Sequence, residues 1–121
     1  MVRAVRGAIG VEKNEREAIH CAARRMVHEI LTRNGIGEEE IVSILFSLTR
    51  DLSSGNPAAG LRVHGFADTP LFCVQEAEVE GAPPRILRVL LTYEAHENRR
   101  PIPVYLDAAA ALRPDLSERS E

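Results

Sequence analysis

Apolar residues recur in adjacent pairs every four positions: Ala18-Ile19, Ala22-Ala23, Met26-Val27, Ile30-Leu31. That spacing paints one apolar stripe along a helix and predicts an amphipathic helix over residues 14–34. Asn14 is the expected N-cap, with Glu17 three residues on as a variant capping box. Asn34-Gly35 is the expected stop. The opposite face carries His20, Cys21, Arg24, Arg25, His28 and Glu29. It reads as solvated surface, not as a metal site.

The rest of the chain is read in shorter periods. Residues 2–9 predict a strand limited by Gly7 and Gly10, with Arg6 sharing a small apolar face with Val2, Ala4 and Ala8. Residues 41–49 are β-branched and large apolar, which predicts a buried strand. The 51–57 stretch is turn-rich, and Pro57 after Asn56 opens a short helix to about residue 65. Residues 71–79 and 85–93 predict two more strands. Gly81-Ala-Pro-Pro84 between them suggests a hairpin with a longer loop, which would set Glu76 beside Arg88. After a polar loop at 96–103, Val104-Tyr-Leu106 is a short extended piece. Asp107 is expected to cap a last short helix at 108–112, stopped by Pro114, and 117–121 reads as a frayed tail. The order is β-α-β-α-β-β-α, with one long and two short helices. So little helix cannot cover both faces of the sheet. One face stays partly apolar, and a closed oligomer is the economical way to bury it.

Composition narrows the chemistry. The 121 residues suit one domain. Aromatics are 4% with no Trp, so the core is aliphatic and no platform for stacking bases is expected. The net charge, 15 − 18 = −3, lacks the basic excess of a nucleic-acid binder. Of the 15 basic residues only Lys13 is lysine. An arginine offers a planar, permanently charged fork for carboxylates, where lysine is a point charge. Cys21 and Cys73 form no CxxC or metal-ligand spacing, the N-terminus has no apolar signal core, and no run approaches the ~20 apolar residues of a membrane span. A reduced, cytoplasmic protein is expected, without metal or other cofactor. There is no P-loop and no GxGxxG, and no serine has a histidine partner in a recognisable motif.

Arg88 is the most informative residue. It stands in Ile86-Leu-Arg-Val-Leu-Leu-Thr92, the middle of an apolar strand. A charge there is costly unless paired or used. Either it pairs with Glu76, or it is an electrophile aimed at a ligand oxygen. The remaining inventory of arginines, one carboxylate, one thiol and one phenol suits a reaction that needs placed charge, with no nucleophile or metal.

Five segments, in order from Arg3 to Leu116, carry a resemblance: Arg3-Ala-Val-Arg-Gly-Ala8; Thr49-Arg-Asp-Leu52 with Pro57-Ala58 and Arg62; Pro70-Leu-Phe-Cys-Val-Gln-Glu76; Ile86-Leu-Arg-Val89; and Val104-Tyr-Leu106 with Leu112-Arg-Pro-Asp-Leu116. Together they resemble the trimeric α/β chorismate mutases, as distinct from the all-helical class. Asn56 stands where that family usually has an aromatic residue, Phe72 where it has a small hydroxyl residue, and Ala59 where some members have lysine.

The resemblance implies an α+β single domain over 1–121, a mixed sheet with one long and two short helices that packs as a trimeric pseudo-barrel. It implies conversion of chorismate to prephenate in aromatic amino-acid biosynthesis, in sites between subunits of a homotrimer. It also implies roles. Arg88 donates to the ether oxygen, and Glu76 and Cys73 contact the ring hydroxyl. Arg6 binds a carboxylate, and Tyr105 bonds the enolpyruvyl carboxylate. Arg62 and Arg113 close over the anion from mobile segments. Cys73 and Glu76 have opposite parity on a regular strand, so a bulge or a backbone contact from Cys73 would be needed. Two alternatives stand beside this: a trimeric enamine/imine deaminase of similar topology, whose motif is absent, and a non-catalytic metabolite-binding oligomer. No nucleic-acid or membrane partner is expected.

Overall fold

A computed structural model describes residues 1–112. The apolar stripe becomes a helix, α1 (Arg16–Asn34), whose Ile19, Ala22, Ala23, Met26, Val27 and Ile30 are buried. Its N-cap is Glu15, which makes no side-chain cap bond. Asn14 is therefore not the cap. Its Oδ1 instead accepts from the N–H groups of Ser53 (2.9 Å) and Ser54 (3.0 Å), and its Nδ2 donates to Ser53 Oγ, tying the helix entry to the 51–56 loop. The stop is as expected. Gly35 takes φ 62°, the left-handed conformation that a side chain disfavours, and Ile36 N–H donates back to Leu31 O at 3.0 Å.

Five strands form one mixed sheet: β1 (Val2–Gly10), β2 (Ile41–Leu48), β3 (Leu71–Gln75), β4 (Ile86–Glu94) and β5 (Val104–Leu106), in the order β3-β2-β4-β1-β5. β4 runs antiparallel to both β1 and β2, while β3 is parallel to β2 and β5 parallel to β1. The expected hairpin of β3 and β4 does not form, because β2 lies between them. The reason is the short helix α2 (Pro57–Arg62), which makes β2-α2-β3 a crossover unit and so forces a parallel pair. α2 stops earlier than expected, at Arg62, with Asn56 Oδ1 accepting from Ala58 N–H as its cap. β3 also stops early, at Gln75. Two 3-10 turns complete the chain, Glu38–Glu40 and Asp107–Ala111. Asp107 lies inside the second turn and does not cap it: Leu106 is the N-cap, and the Asp107 carboxylate takes both ends of the Arg25 fork at 2.7 and 3.2 Å. That contact holds the Arg25 charge more firmly than usual.

The architecture is α+β, with all the long helix on one face. Val5, Ile9, Ile44, Phe46, Leu87, Val89 and Leu91 alternate toward α1 and form the core. Gly7 allows the closest approach: a Cβ there would stand 2.6 Å from Met26 Sδ and 3.0 Å from the Val104 carbonyl. The other face carries a small cluster, Ala8, Ile86, Tyr105 and Ala109, with Leu112 packed against it. Beyond that cluster this face is open: Phe72 is 65% and Leu90 45% exposed, and Leu45 and Val74 are also exposed.

The loop between β4 and β5 hangs on one buried residue. Asn34 donates through Nδ2 to the carbonyls of Ile30 and Ile102 (3.0 Å each) and accepts from Ile102 N–H at 2.7 Å. Arg99 Nη2 adds a bond to the Asn34 carbonyl at 3.0 Å. This clamp fixes where β5 begins. Asn34→Ala leaves the Ile102 groups unmatched, and unfolding in urea should show a loss of about 1–3 kcal/mol.

Candidate active site

The open face of the sheet assembles the charged residues. Directly paired residues on neighbouring strands project to the same side. Arg88 is paired with Ala8 on β1 and with Ser47 on β2. Arg6 is paired with Leu90, which makes it the diagonal neighbour of Arg88, roughly 7 Å away in ordinary sheet geometry. Tyr105 is paired with Ala8 and held by the small cluster around Ile86 and Ala109. Arg6, Arg88, Tyr105, Ser47, Leu45 and Leu90 line a cavity of about 290 Å³. That is near the lower limit of ligand pockets, ~300–1,000 Å³.

Glu76 joins this group from just beyond β3. Its N–H donates to Leu48 O at 2.8 Å, which continues the β2 contact one residue further and sets the side chain over the open face. Its carboxylate pairs with Nε of Arg88. The two side chains are 23% and 38% exposed, so the pair is partly hydrated. Of the two expected readings of Arg88, the ion pair with Glu76 is formed. The closest contact is at Nε, and among the described residues Glu76 is the one partner of the guanidinium. The cavity wall carries Arg6 and Arg88, with Glu76 reaching Arg88 from outside the lining, so positive groups predominate there.

Two expected site residues sit elsewhere, and a third lies outside the described residues. Cys73 is paired with Phe46, which is fully buried toward α1, so the thiol belongs to the core side of β3. The parity conflict with Glu76 is real, and only the backbone of Cys73 is left to meet a ligand on the open face. Arg62 turns its guanidinium onto its own loop. It donates to the carbonyls of Phe66 (2.8 Å), Ala67 (2.9 Å) and Thr69 (3.2 Å), and it does not line the cavity. Arg113 lies outside the described residues.

Ser47 was not singled out from the sequence. Its only signal there is a small polar residue alternating with Leu45 in a strand otherwise rich in large apolar side chains. A wider cleft of about 520 Å³ opens next to Glu76, between Thr49–Asp51 and the 77–84 loop. Its wall carries Asp51, Glu76, Glu78 and Glu80 against Arg50 alone, which is the wrong sign for an anion.

The family model for chorismate mutase type I matches residues 2–116. Over 118 residues the chain is 42% identical to "Chorismate mutase AroH" of Thermus thermophilus, covering 96% of this chain and 97% of that protein. It is 34% identical over 119 residues to "Chorismate mutase AroH" of Bacillus subtilis (strain 168), covering 97% and 94%. Among solved structures it resembles a chorismate mutase from Clostridium thermocellum, with a TM-score of 0.86, 32% identity, and coverage of 90% of this chain and 98% of that one.

The placement of Cys73 can be measured with a thiol reagent. Burial pushes its pKa above the ordinary thiol value, which lowers the thiolate fraction at any given pH, while Cys21 is exposed. The thiolate is the reacting form. At pH 8, iodoacetamide should modify Cys21 first, and mass spectrometry should find Cys73 mostly intact when Cys21 labelling is complete. Equal rates would place the Cys73 thiol at the surface.

Proposed function

The chain belongs to the chorismate mutase type I family, and from that premise we propose that it rearranges chorismate to prephenate in a cavity completed by neighbouring copies of itself. The observation that carries the reading is the Arg88 guanidinium, paired with Glu76 through Nε and set beside Arg6 and Tyr105 on a sheet face left uncovered. The deaminase and passive-binder alternatives gain no support from these residues.

The reaction breaks the ether C–O bond of chorismate while the enolpyruvyl methylene forms a new C–C bond to the ring. All atoms stay in one molecule and no proton moves. The protein's work is to hold the folded diaxial conformer and to answer the charge that separates as the bonds exchange. Negative charge grows on the ether oxygen, and the N–H groups of Arg88 are the donors suited to it. A preorganised donor of this kind contributes roughly 3–4 kcal/mol. Glu76 serves twice. It fixes Arg88, and its remaining lone pairs accept from the ring hydroxyl. Arg6 takes a carboxylate, and the Tyr105 phenol bonds the enolpyruvyl carboxylate. The backbone of Cys73 contributes at the ring hydroxyl. Arg62 and Arg113 close over the anion, which for Arg62 means giving up its three loop carbonyls. The mechanism calls on no metal or cofactor.

The assembly we propose is a homotrimer closing as a pseudo-barrel, in the cytoplasm, serving aromatic amino-acid biosynthesis. The apolar band of Leu45, Phe72, Val74 and Leu90 supports association, since a monomer would leave it wet. The small size of the cavity also fits a site that one chain builds in part. Among the described residues no helix is long and apolar enough to cross a membrane. Both cysteines are free.

Sedimentation at micromolar concentration should give three times the 13.4 kDa chain mass. A stable, fully active monomer would contradict the shared site. The wild-type protein should consume chorismate, read from its ultraviolet absorbance. Arg88→Ala should remain trimeric and lose no more than about 1 kcal/mol of stability, because the ion pair is partly exposed. It should nevertheless lose about 10²–10³-fold in kcat with a smaller change in KM. Arg88→Lys keeps the charge without the fork and should recover only part. A folded Arg88→Ala enzyme with kcat within about threefold of wild type would remove Arg88 from the chemistry.

A further inference from the structure

We propose that Ser47 is a specificity-determining residue of this site: its hydroxyl meets the ring end of bound chorismate, and its small size makes the room in which the ring lies beside Arg88. The proposal rests on the chorismate mutase reading above. β2 sends Ile44, Phe46 and Leu48 into the core, so Leu45 and Ser47 stand on the open face. Ser47 is paired with Arg88 on one side and with Val74 on the other. The floor therefore has two rows. One runs Ala8, Arg88, Ser47, Val74; the next runs Arg6, Leu90, Leu45, Phe72. In the first row both neighbours of Arg88 are small. In the second, large side chains rise on every strand. Ala8 is covered by Tyr105 and Ala109, so the low point beside Arg88 that opens to the cavity is Ser47.

Ser47 also has an unanswered polar group. It is half-buried, it lines the cavity, and its hydroxyl makes no hydrogen bond to any described residue. Once a ligand covers it, that hydroxyl needs a partner from the ligand or the complex is weakened. The register says which part of the ligand this is. Arg6 and Tyr105 lie on the β1 and β5 side of Arg88, where the enolpyruvyl carboxylate is assigned. Ser47 lies on the opposite side, next to Leu48, whose carbonyl holds the Glu76 N–H. Ser47 and Glu76 thus share the ring end, and the ring hydroxyl and ring carboxylate are the oxygens within its sector.

A serine that is only a strand residue behaves oppositely on substitution. Valine is the better strand former, so at a merely structural position Ser47→Val should be neutral or stabilising and leave activity alone. The test is to purify Ser47→Ala and Ser47→Val, measure sedimentation and thermal midpoint, and follow chorismate loss. Ser47→Ala removes the hydroxyl alone and should raise KM about fivefold with little change in kcat, the pattern of a binding contact. Ser47→Val fills the low point and should lower kcat/KM on the order of 100-fold, with the midpoint unchanged or raised. A folded Ser47→Val enzyme with kcat/KM within about threefold of wild type overturns the proposal. So does an activity loss that tracks a falling midpoint. Wild-type protein that leaves chorismate untouched overturns the activity itself, and the role of Ser47 with it. An active wild type with indifferent variants removes Ser47 alone.

Discussion

A cation fixed in the central strand of a sheet must be answered on one face without being neutralised, and the neighbourhood of Arg88 is arranged around that demand. β4 is paired on both sides, so Arg88 cannot slide to an edge to find water. The charge is met by one carboxylate at one nitrogen. This requires Glu76 to arrive from a strand that is not adjacent, and the early end of β3 delivers it, carried by the Leu48 carbonyl. β2 passes between the two partners. The residue it presents opposite Arg88 is a serine, although most of the strand is large and apolar.

The two sheet faces answer different needs because side chains on a strand alternate. One face takes α1 and nearly all of the packed core. The other has only the small cluster around Ile86 and Tyr105, the charged cavity, and an apolar band beside it. The same face therefore carries both the arginines of the cavity and the exposed apolar band. An arginine-rich, acidic chain suits this economy. Its net charge is −3, while Arg6 and Arg88 make a small region of opposite sign on the open face.

Much of this was legible in the sequence, and the failures share a cause. The pairs of apolar residues in α1, the runs in β2 and β4, and the Asn34-Gly35 stop are local signals, and each held. Arg88 stood out because a charge among aliphatic residues needs a reason. What failed was decided by distant partners. Asn14 had the chemistry of a cap, but the 51–56 loop held its side chain. Asp107 likewise answered Arg25, 82 positions away in sequence. The Gly-Pro loop at 81–84 resembled a hairpin connection, yet the crossover through α2 placed β2 between the strands it joins. The parity of Cys73 was readable from position alone, and the structure kept the conflict by turning the thiol to the core. The grip of Arg62 on three carbonyls left no trace in the sequence, because backbone acceptors carry no residue identity.

The strand order also dictates when each part of the molecule can exist. β2 pairs with both β3 and β4 entirely within residues 41–94, so the middle of the chain can close on itself early. β1 cannot. Its first residues bond opposite Glu94 and its last third runs beside Val104–Leu106, so the opening nine residues of the sheet find both neighbours only after residue 106 has been made. Until then α1 has half of its floor missing, since Gly7 supplies the contact for Met26 and Ile30. Such long-range closures are slow, and they follow synthesis instead of accompanying it. Arg6 and Tyr105, on the first and last strands of the sequence, come together in that final event, so a nascent chain can carry a finished Arg88–Glu76 pair well before it has anywhere to hold a dianion.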